Sequence, residues 1–314
     1  MRKGRWIADY HGTLNGPLLI AIGAMHGNEI SGVKAIDLVQ KMLEVEPITN
    51  PEFQYRGDFV GLIGNLAAYR MHQRFLDYDL NRMWDTDIIA EIKSGTASEK
   101  YGHEAEELQE LLQILQNIVK ERNPSQIVVL DLHTTSSSGG IFAIPGHDDW
   151  SIQIAASIHA PVIEGILDGI AGTSLHFFNE SLFGVPTGCV AFEAGQHDDP
   201  KSINRNIAAI INVMKIIGSV KDNDVENIHD ELLKAYAESL PLVSKVIYKY
   251  HVDDNEAFEM QPGFKNFQVV EQGQLIATDK GMPVRAEANG RILMPLYQKK
   301  GADGFFIIQD VKSK

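Results

Sequence analysis

Four short apolar runs, at 17–23, 58–63, 127–133 and 189–193, are separated by longer segments in which apolar residues recur every three or four positions. Runs apolar at successive residues belong to strands covered on both sides, so this alternation restricts residues 1–244 to an α/β domain, a mixed sheet with helices on both faces. Helical spacing is expected over 29–43, 104–120 and 203–217; in the second, positions 108, 111, 112, 115 and 118 share one face. Asn123-Pro124-Ser125 stops that helix before the third apolar run.

The texture changes after Lys245. Gly and Pro punctuate every eight to ten residues and short alternating runs appear, as at 267–270 and 304–308. Residues 245–314 therefore read as a small β-rich domain, joined through a linker at 239–246. Charge divides at the same place: 18 basic against 33 acidic side chains before Lys245, and 10 against 9 from there on.

The net charge of −14 argues against nucleic-acid or anionic-membrane partners, while leaving room for a small anionic substrate at a locally basic site. Cys189 is the only cysteine, so an intrachain disulfide and a cysteine-based zinc knuckle are excluded and a reducing compartment is the default. The charged start, Met1 to Arg5, precedes no apolar run of signal-peptide length, and no segment has the length of a membrane span. The expectation is a soluble cytoplasmic protein, with a homo-oligomer allowed.

Phosphate-binding glycine loops and the Gly-x-Ser-x-Gly elbow are absent. Residues with metal-ligand chemistry instead follow the apolar runs. His26 and Glu29 stand three residues apart after the first, at the opening of a helix, where one helical turn would converge them on one ion. His133 ends the third, with Asp131 on the same strand face able to fix its tautomer; a hydrogen-bonded core histidine is the competing reading. Glu193 ends the fourth, a poor place for a carboxylate unless it is exposed or paired. Together these ends offer two His and one carboxylate for a metal, with a free general base, as metal-assisted amide hydrolysis requires. A second His-x-x-Glu, His103 to Glu106, lies among Glu104, Glu107 and Glu110 and reads as a solvated helix face. In the cluster 74–82, Arg74 and Arg82 with Asn81 could grip a carboxylate, or the arginines could simply pair with Asp77, Asp79 and Asp85.

Gly23-Ala24-Met25-His26-Gly27-Asn28-Glu29, Asp79-Leu80-Asn81-Arg82, Asp131-Leu132-His133-Thr134-Thr135 and Phe192-Glu193-Ala194-Gly195 resemble the succinylglutamate desuccinylase and aspartoacylase family, zinc amidohydrolases similar in fold to metallocarboxypeptidases. The resemblance runs along the whole chain in order. It implies one zinc per chain held by His26, Glu29 and His133, with Glu193 activating the metal-bound water and Arg74 polarising the scissile carbonyl. It further implies that Asn81 and Arg82 hold the α-carboxylate of a small anionic N-acyl amino acid, and that Tyr297 reaches the site from a C-terminal domain closing the cleft. Aspartoacylases carry an arginine about ten residues before the catalytic glutamate; residues 178–184 here contain none, so the resemblance does not carry N-acetylaspartate over as substrate.

A metallocarboxypeptidase acting on peptides shares the ligand spacing and differs in how open its cleft is. From another class, Gly273 to Gly281 with Gly290-Arg291-Ile292-Leu293 resembles a lipoyl or biotinyl carrier hairpin with Lys280 at its tip, although Asp-Lys-Gly is also a plain turn. A non-catalytic binding protein is the remaining alternative.

Overall fold

The computed structural model describes residues 4–95, 97–253 and 256–311. Met1, Arg2 and Lys3 of the charged start lie outside the described residues. The four expected apolar runs become β2 (Leu14–Gly23), β3 (Arg56–Ile63), β4 (Ile127–Thr135) and β7 (Thr187–Gln196), which pair in parallel in the order β3-β2-β4-β7. Strand β1 (Trp6–His11) lies antiparallel on β3, and β5 (Phe142–Pro145) antiparallel on β7. Beyond β5 the sheet continues through β6 (Val162–Glu164) and β8 (Val243–His251).

Both faces of this sheet are covered, and the residue period of two decides which side chain serves which face. Leu18, Ile20, Ile22, Ile127 and Val129 pack with Leu108, Leu111 and Leu115 of the His103–Arg122 helix. Leu19, Ala21, Val128 and Leu130 pack on the other side with the helices Ser31–Thr49 and Lys201–Ile216. All of these strand residues are fully buried, so slipping β2 by one residue would exchange the two cores and is strongly disfavoured. The helix stop read at Asn123 is realised as a left-handed C-cap with φ 45°.

The C-terminal residues add β9 (Phe258–Met260), β10 (Val269–Val270), β11 (Leu275–Asp279), β12 (Met282–Arg285), β13 (Gly290–Leu293) and β14 (Asp303–Asp310). Three of them make the small sheet β12-β11-β9, while β14, β13 and β10 extend the large sheet outward from β8. Of the segment expected as a linker, residues from Val243 onward are strand: Ser244 is buried and the β6–β8 pairing sets Val162 opposite Val243. The large sheet therefore runs without interruption from the first strands into the C-terminal segment.

The acidic helix His103–Arg122 departs from its expected solvated face. Glu104 is fully buried and accepts hydrogen bonds from the backbone N–H groups of Leu76, Asp77 and Tyr78 at 2.7, 3.0 and 3.1 Å, and from Asn65 Nδ2 at 3.0 Å. Glu107 accepts from the N–H groups of Leu66 and Ala67 and from buried Arg5. Four donors on one carboxylate compensate its desolvation and hold segment 76–78 against the helix. Glu104→Ala leaves those donors buried without an acceptor and should cost about 3–5 kcal/mol, read as a lower urea midpoint. Exposed Glu106→Ala should stay within about 0.5 kcal/mol of wild type. Equal effects of the two substitutions would refute the structural role given to Glu104.

Candidate active site

The carboxyl ends of β2, β4 and β7 lie side by side, with His133 directly opposite Glu193 in the β4–β7 register. After β2 the chain leaves through Ala24, in the left-handed region at φ 55°, and turns at His26 so that Glu29 N donates to His26 O. That turn brings the His26 and Glu29 side chains together; the Ser31–Thr49 helix begins two residues later than the sequence spacing suggests. Gly27 is required by close approach: a Cβ there would lie 2.2 Å from the carbonyl carbon of Ala68 and 2.3 Å from Tyr69 N. The loop is pinned by Gly27 N donating to Arg74 O and Asn65 N to Ala24 O, and Asn65 also bonds Glu104.

Glu29 is 2% exposed and faces both imidazoles, with His26 Nδ1 at 2.8 Å from Oε1 and His133 Nδ1 at 3.0 Å from Oε2. Thr134 N donates to Oε2 as well. Each imidazole has a second carboxylate at its far nitrogen: His133 Nε2 lies 3.1 Å from Asp131, and His26 Nε2 lies 3.3 Å from Asp79. Donor atoms of His26, Glu29 and His133 all fall within 4.8 Å of one another. Two imidazoles and one carboxylate, each imidazole backed by a further carboxylate, fit a divalent transition ion such as zinc.

The electrostatics of the cluster are those of buried charges forced to share. Burial pushes Glu29 toward protonation, but His26 and His133 reverse this and hold its carboxyl well below the usual range. Burial disfavours charge on His133, yet Asp131 and Glu29 raise its proton affinity well above an ordinary histidine's. Glu193 differs: burial, only partly opposed by His133, pushes it up to about 8, and its Oε2 has no hydrogen-bond partner among the described residues. His197, four residues beyond Glu193, bonds Thr134 Oγ1 through Nδ1, and burial lowers its proton affinity.

One cleft of about 850 Å³, its open mouth included, contains most of the residues singled out from the sequence: His26, Glu29, Arg74, Asn81, Arg82, His133 and Glu193 line it. Arg74 lies 3.4 Å from both Glu29 and Asp79. Asn81 is buried, its Oδ1 accepting from Ser174 N, which leaves its NH2 as the donor side. Arg82 is half committed, with Nη2 at 2.6 Å from Asp303 and Nη1 donating to its neighbour's carbonyl. Pairing with Asp77 or Asp85 does not occur: Asp77 faces His103, and Asp85 accepts from the backbone at the start of the following helix.

Tyr297 stands apart from the other expected site residues. It does not line the cleft; its hydroxyl donates to Gln261 O and accepts from Phe264 N, both at 2.8 Å, which turns the ring toward that loop. Its neighbours Leu296 and Gln298 take the cleft wall, together with Asp303. Sequence spacing missed Asp303, 221 positions from its partner Arg82, whereas Asp79 was already inside the motif Asp79-Leu80-Asn81-Arg82. Lys280 occupies the exposed turn between β11 and β12, its Nζ 4.0 Å from Asp253. No helix among the described residues is long and apolar enough to cross a membrane.

Comparison with known proteins places this geometry in context. The probable aspartoacylase of Nostoc sp. is 28% identical over 128 residues, covering 41% of this chain and 38% of that protein. The N-acyl-aromatic-L-amino acid amidohydrolase (carboxylate-forming) of Xenopus tropicalis is 27% identical over 149 residues, 46% of this chain and 43% of that one. The alignments thus span about two fifths of the length of these curated relatives. The solved succinylglutamate desuccinylase structure from Vibrio parahaemolyticus shares the fold, with a TM-score of 0.62 at 14% identity, covering 96% of this chain and 83% of that one. The family model for the succinylglutamate desuccinylase/aspartoacylase catalytic domain matches residues 15–217, which hold both histidines, Glu29, both cleft arginines and Glu193, and the chain belongs to that family.

Proposed function

We propose that this protein hydrolyses the amide bond of a small N-acyl amino acid, using one zinc ion held by His26, Glu29 and His133. The observation that carries the reading is the convergence of these three donors and Glu193 in one buried cleft. The names of its relatives, a probable aspartoacylase and an N-acyl-aromatic-L-amino acid amidohydrolase, point the same way. When bound, zinc supplies Lewis acidity and lowers the pKa of a coordinated water toward neutrality.

The chain's own residues supply the rest. Glu193, placed across from His133, takes the proton from the attacking water and later delivers it to the nitrogen of the leaving amine. The value near 8 belongs to the metal-free cleft; a divalent cation beside Glu193 would lower it and free the carboxylate to act as the base. Arg74 faces the charge that develops on the carbonyl oxygen. The NH2 of Asn81 and the N–H groups of Arg82 not used by Asp303 and the Asn81 carbonyl hold the substrate's carboxylate. Asp131, 3.1 Å from Nε2 of His133, favours the tautomer that leaves its Nδ1 for the metal, while Asp79 stands 3.3 Å from Nε2 of His26 as a charge partner without a hydrogen bond. Residues 245–314 act as the closing wall, since Leu296, Gln298 and Asp303 border the cleft, and this favours small substrates over polypeptides. A reducing cytoplasm is the setting we assign, with Cys189 free and buried.

Glu193→Gln should retain zinc and lose at least about a hundredfold in turnover of N-acyl amino acids, the low end for a positioned acid and base. Near-normal turnover would exclude that role. His26→Ala and His133→Ala should each emerge from dialysis with far less than one zinc per chain by emission spectrometry; stoichiometric zinc in either would remove that residue from the ligand set.

Glu193 also makes the metal-free protein sensitive to pH. Folded, it keeps its proton up to about pH 8, whereas unfolded it ionises near 4.5, so between these values the folded chain binds the extra proton and stability falls as pH rises. The loss amounts to about 3 kcal/mol by pH 7. Metal-free Glu193→Gln cannot ionise there and should melt above metal-free wild type at pH 7, the two converging near pH 4. Identical melting curves at both pH values would show that Glu193 ionises freely in the folded state.

A further inference from the structure

The cleft has two chemically different ends. Its basic side chains, apart from the two ligand histidines, are Arg74 and Arg82, and each already faces carboxylates of the chain: Glu29 and Asp79 for Arg74, Asp303 for Arg82. Asp303 in turn draws in Lys249 at 2.6 Å, so that lysine is committed as well. One stretch of the wall is apolar, formed by Ile144, Ile166, Leu167, Ile170, Leu175 and Ala191 of one continuous core cluster, while the other side chains of the lining, such as Thr173, Ser174 and Gln298, add polar groups but no further cation. Ala191 and Ile144 are paired across β7 and β5, and Ala191 also pairs with Asp131, so the floor passes from the polar row of His133 and Glu193 directly to aliphatic side chains.

This apolar wall adjoins the carboxylate grip. Ser174 N donates to Asn81 Oδ1, and a Cβ on Gly172 would meet the backbone of Arg82, so segment 170–175 is packed against both. A substrate whose α-carboxylate sits at Asn81 and Arg82 would direct the substituent on its α-carbon along the aliphatic wall. No further cation lies beside that wall in the cleft lining: between Ile170 and Leu175 the side chains are Thr173 and Ser174, and Ser174 Oγ already donates to Asp131. A second carboxylate placed there would be desolvated without a partner, at a cost of several kcal/mol.

We infer that the preferred substrates are N-acyl amino acids whose side chain is apolar, to the exclusion of acidic side chains. The inference rests on the amide-hydrolase reading. Its test is a comparison of kcat/KM for the N-acetyl and N-succinyl derivatives of leucine, aspartate and glutamate with the zinc-loaded protein, beside calorimetric Kd values of N-acetylleucine and N-acetylaspartate for Glu193→Gln. Leucine derivatives should exceed both acidic ones at least about a hundredfold in kcat/KM, and N-acetylleucine should bind at least about tenfold more tightly. Hydrolysis of aspartate or glutamate derivatives at equal or higher kcat/KM, or equal binding of the two acetyl compounds, would overturn the inference while leaving the hydrolase reading intact. Hydrolysis of none of the six would overturn that reading, and the inference with it.

Discussion

The buried carboxylate of Glu29 is the constraint around which the centre of the molecule is organised. At 2% exposure it has little access to water, so its charge must be balanced by the protein. The balance comes from a turn after β2, the end of β4, the amide of Thr134 and the guanidinium of Arg74. Three stretches of chain are thereby held to within hydrogen-bond tolerance of one another. Glu193, whose Oε2 has no hydrogen-bond partner among the described residues, is instead left desolvated; its burial, only partly offset by His133 and reinforced by the charge of Glu29, makes it hold a proton in the metal-free cleft.

How much of this could be read in advance depended on whether the partner was a side chain near in sequence. The strands were legible because residues such as Leu18 to Ile22 are apolar in succession, and His133 and Glu193 stood out because they are polar residues at the ends of such runs. The edge strand β1 and the short strands β5 and β6 were not, since three or four residues, or an alternating edge, carry little pattern. Glu104 illustrates the deeper limit. Among Glu106, Glu107 and Glu110 it looks like one more solvated acid, and its main partners are backbone N–H groups, which every sequence possesses and none displays. The aromatic ring of Tyr297 was legible as a residue able to reach a site, but its hydroxyl is drawn into the 261–264 turn by two backbone groups that the sequence does not mark.

Specificity in such a cleft comes as much from charges already spent as from charges present. In the proposed function Arg82 would serve both Asp303 and a bound carboxylate, so its grip would be tempered by an internal competitor. That competitor comes from the far end of the sequence and links the arginine motif to β14. Binding at the site and the docking of the C-terminal segment are for this reason coupled through one ion pair, and a change at Asp303 would be felt in both.

The uninterrupted large sheet has a consequence for how the molecule can be divided. The recognised catalytic region ends at residue 217, a natural place to cut if domains are drawn from sequence conservation of the family alone. Cutting there would strip β8 from β6 and leave the three residues Val162–Glu164 as a raw sheet edge, its amide and carbonyl groups open to pairing with another molecule. It would also unroof the cleft on the side of Leu296 and Asp303. A fragment bearing every proposed catalytic residue would then be prone to self-association and would hold its arginine without the carboxylate that restrains it, so the smallest meaningful unit of this protein extends to β14.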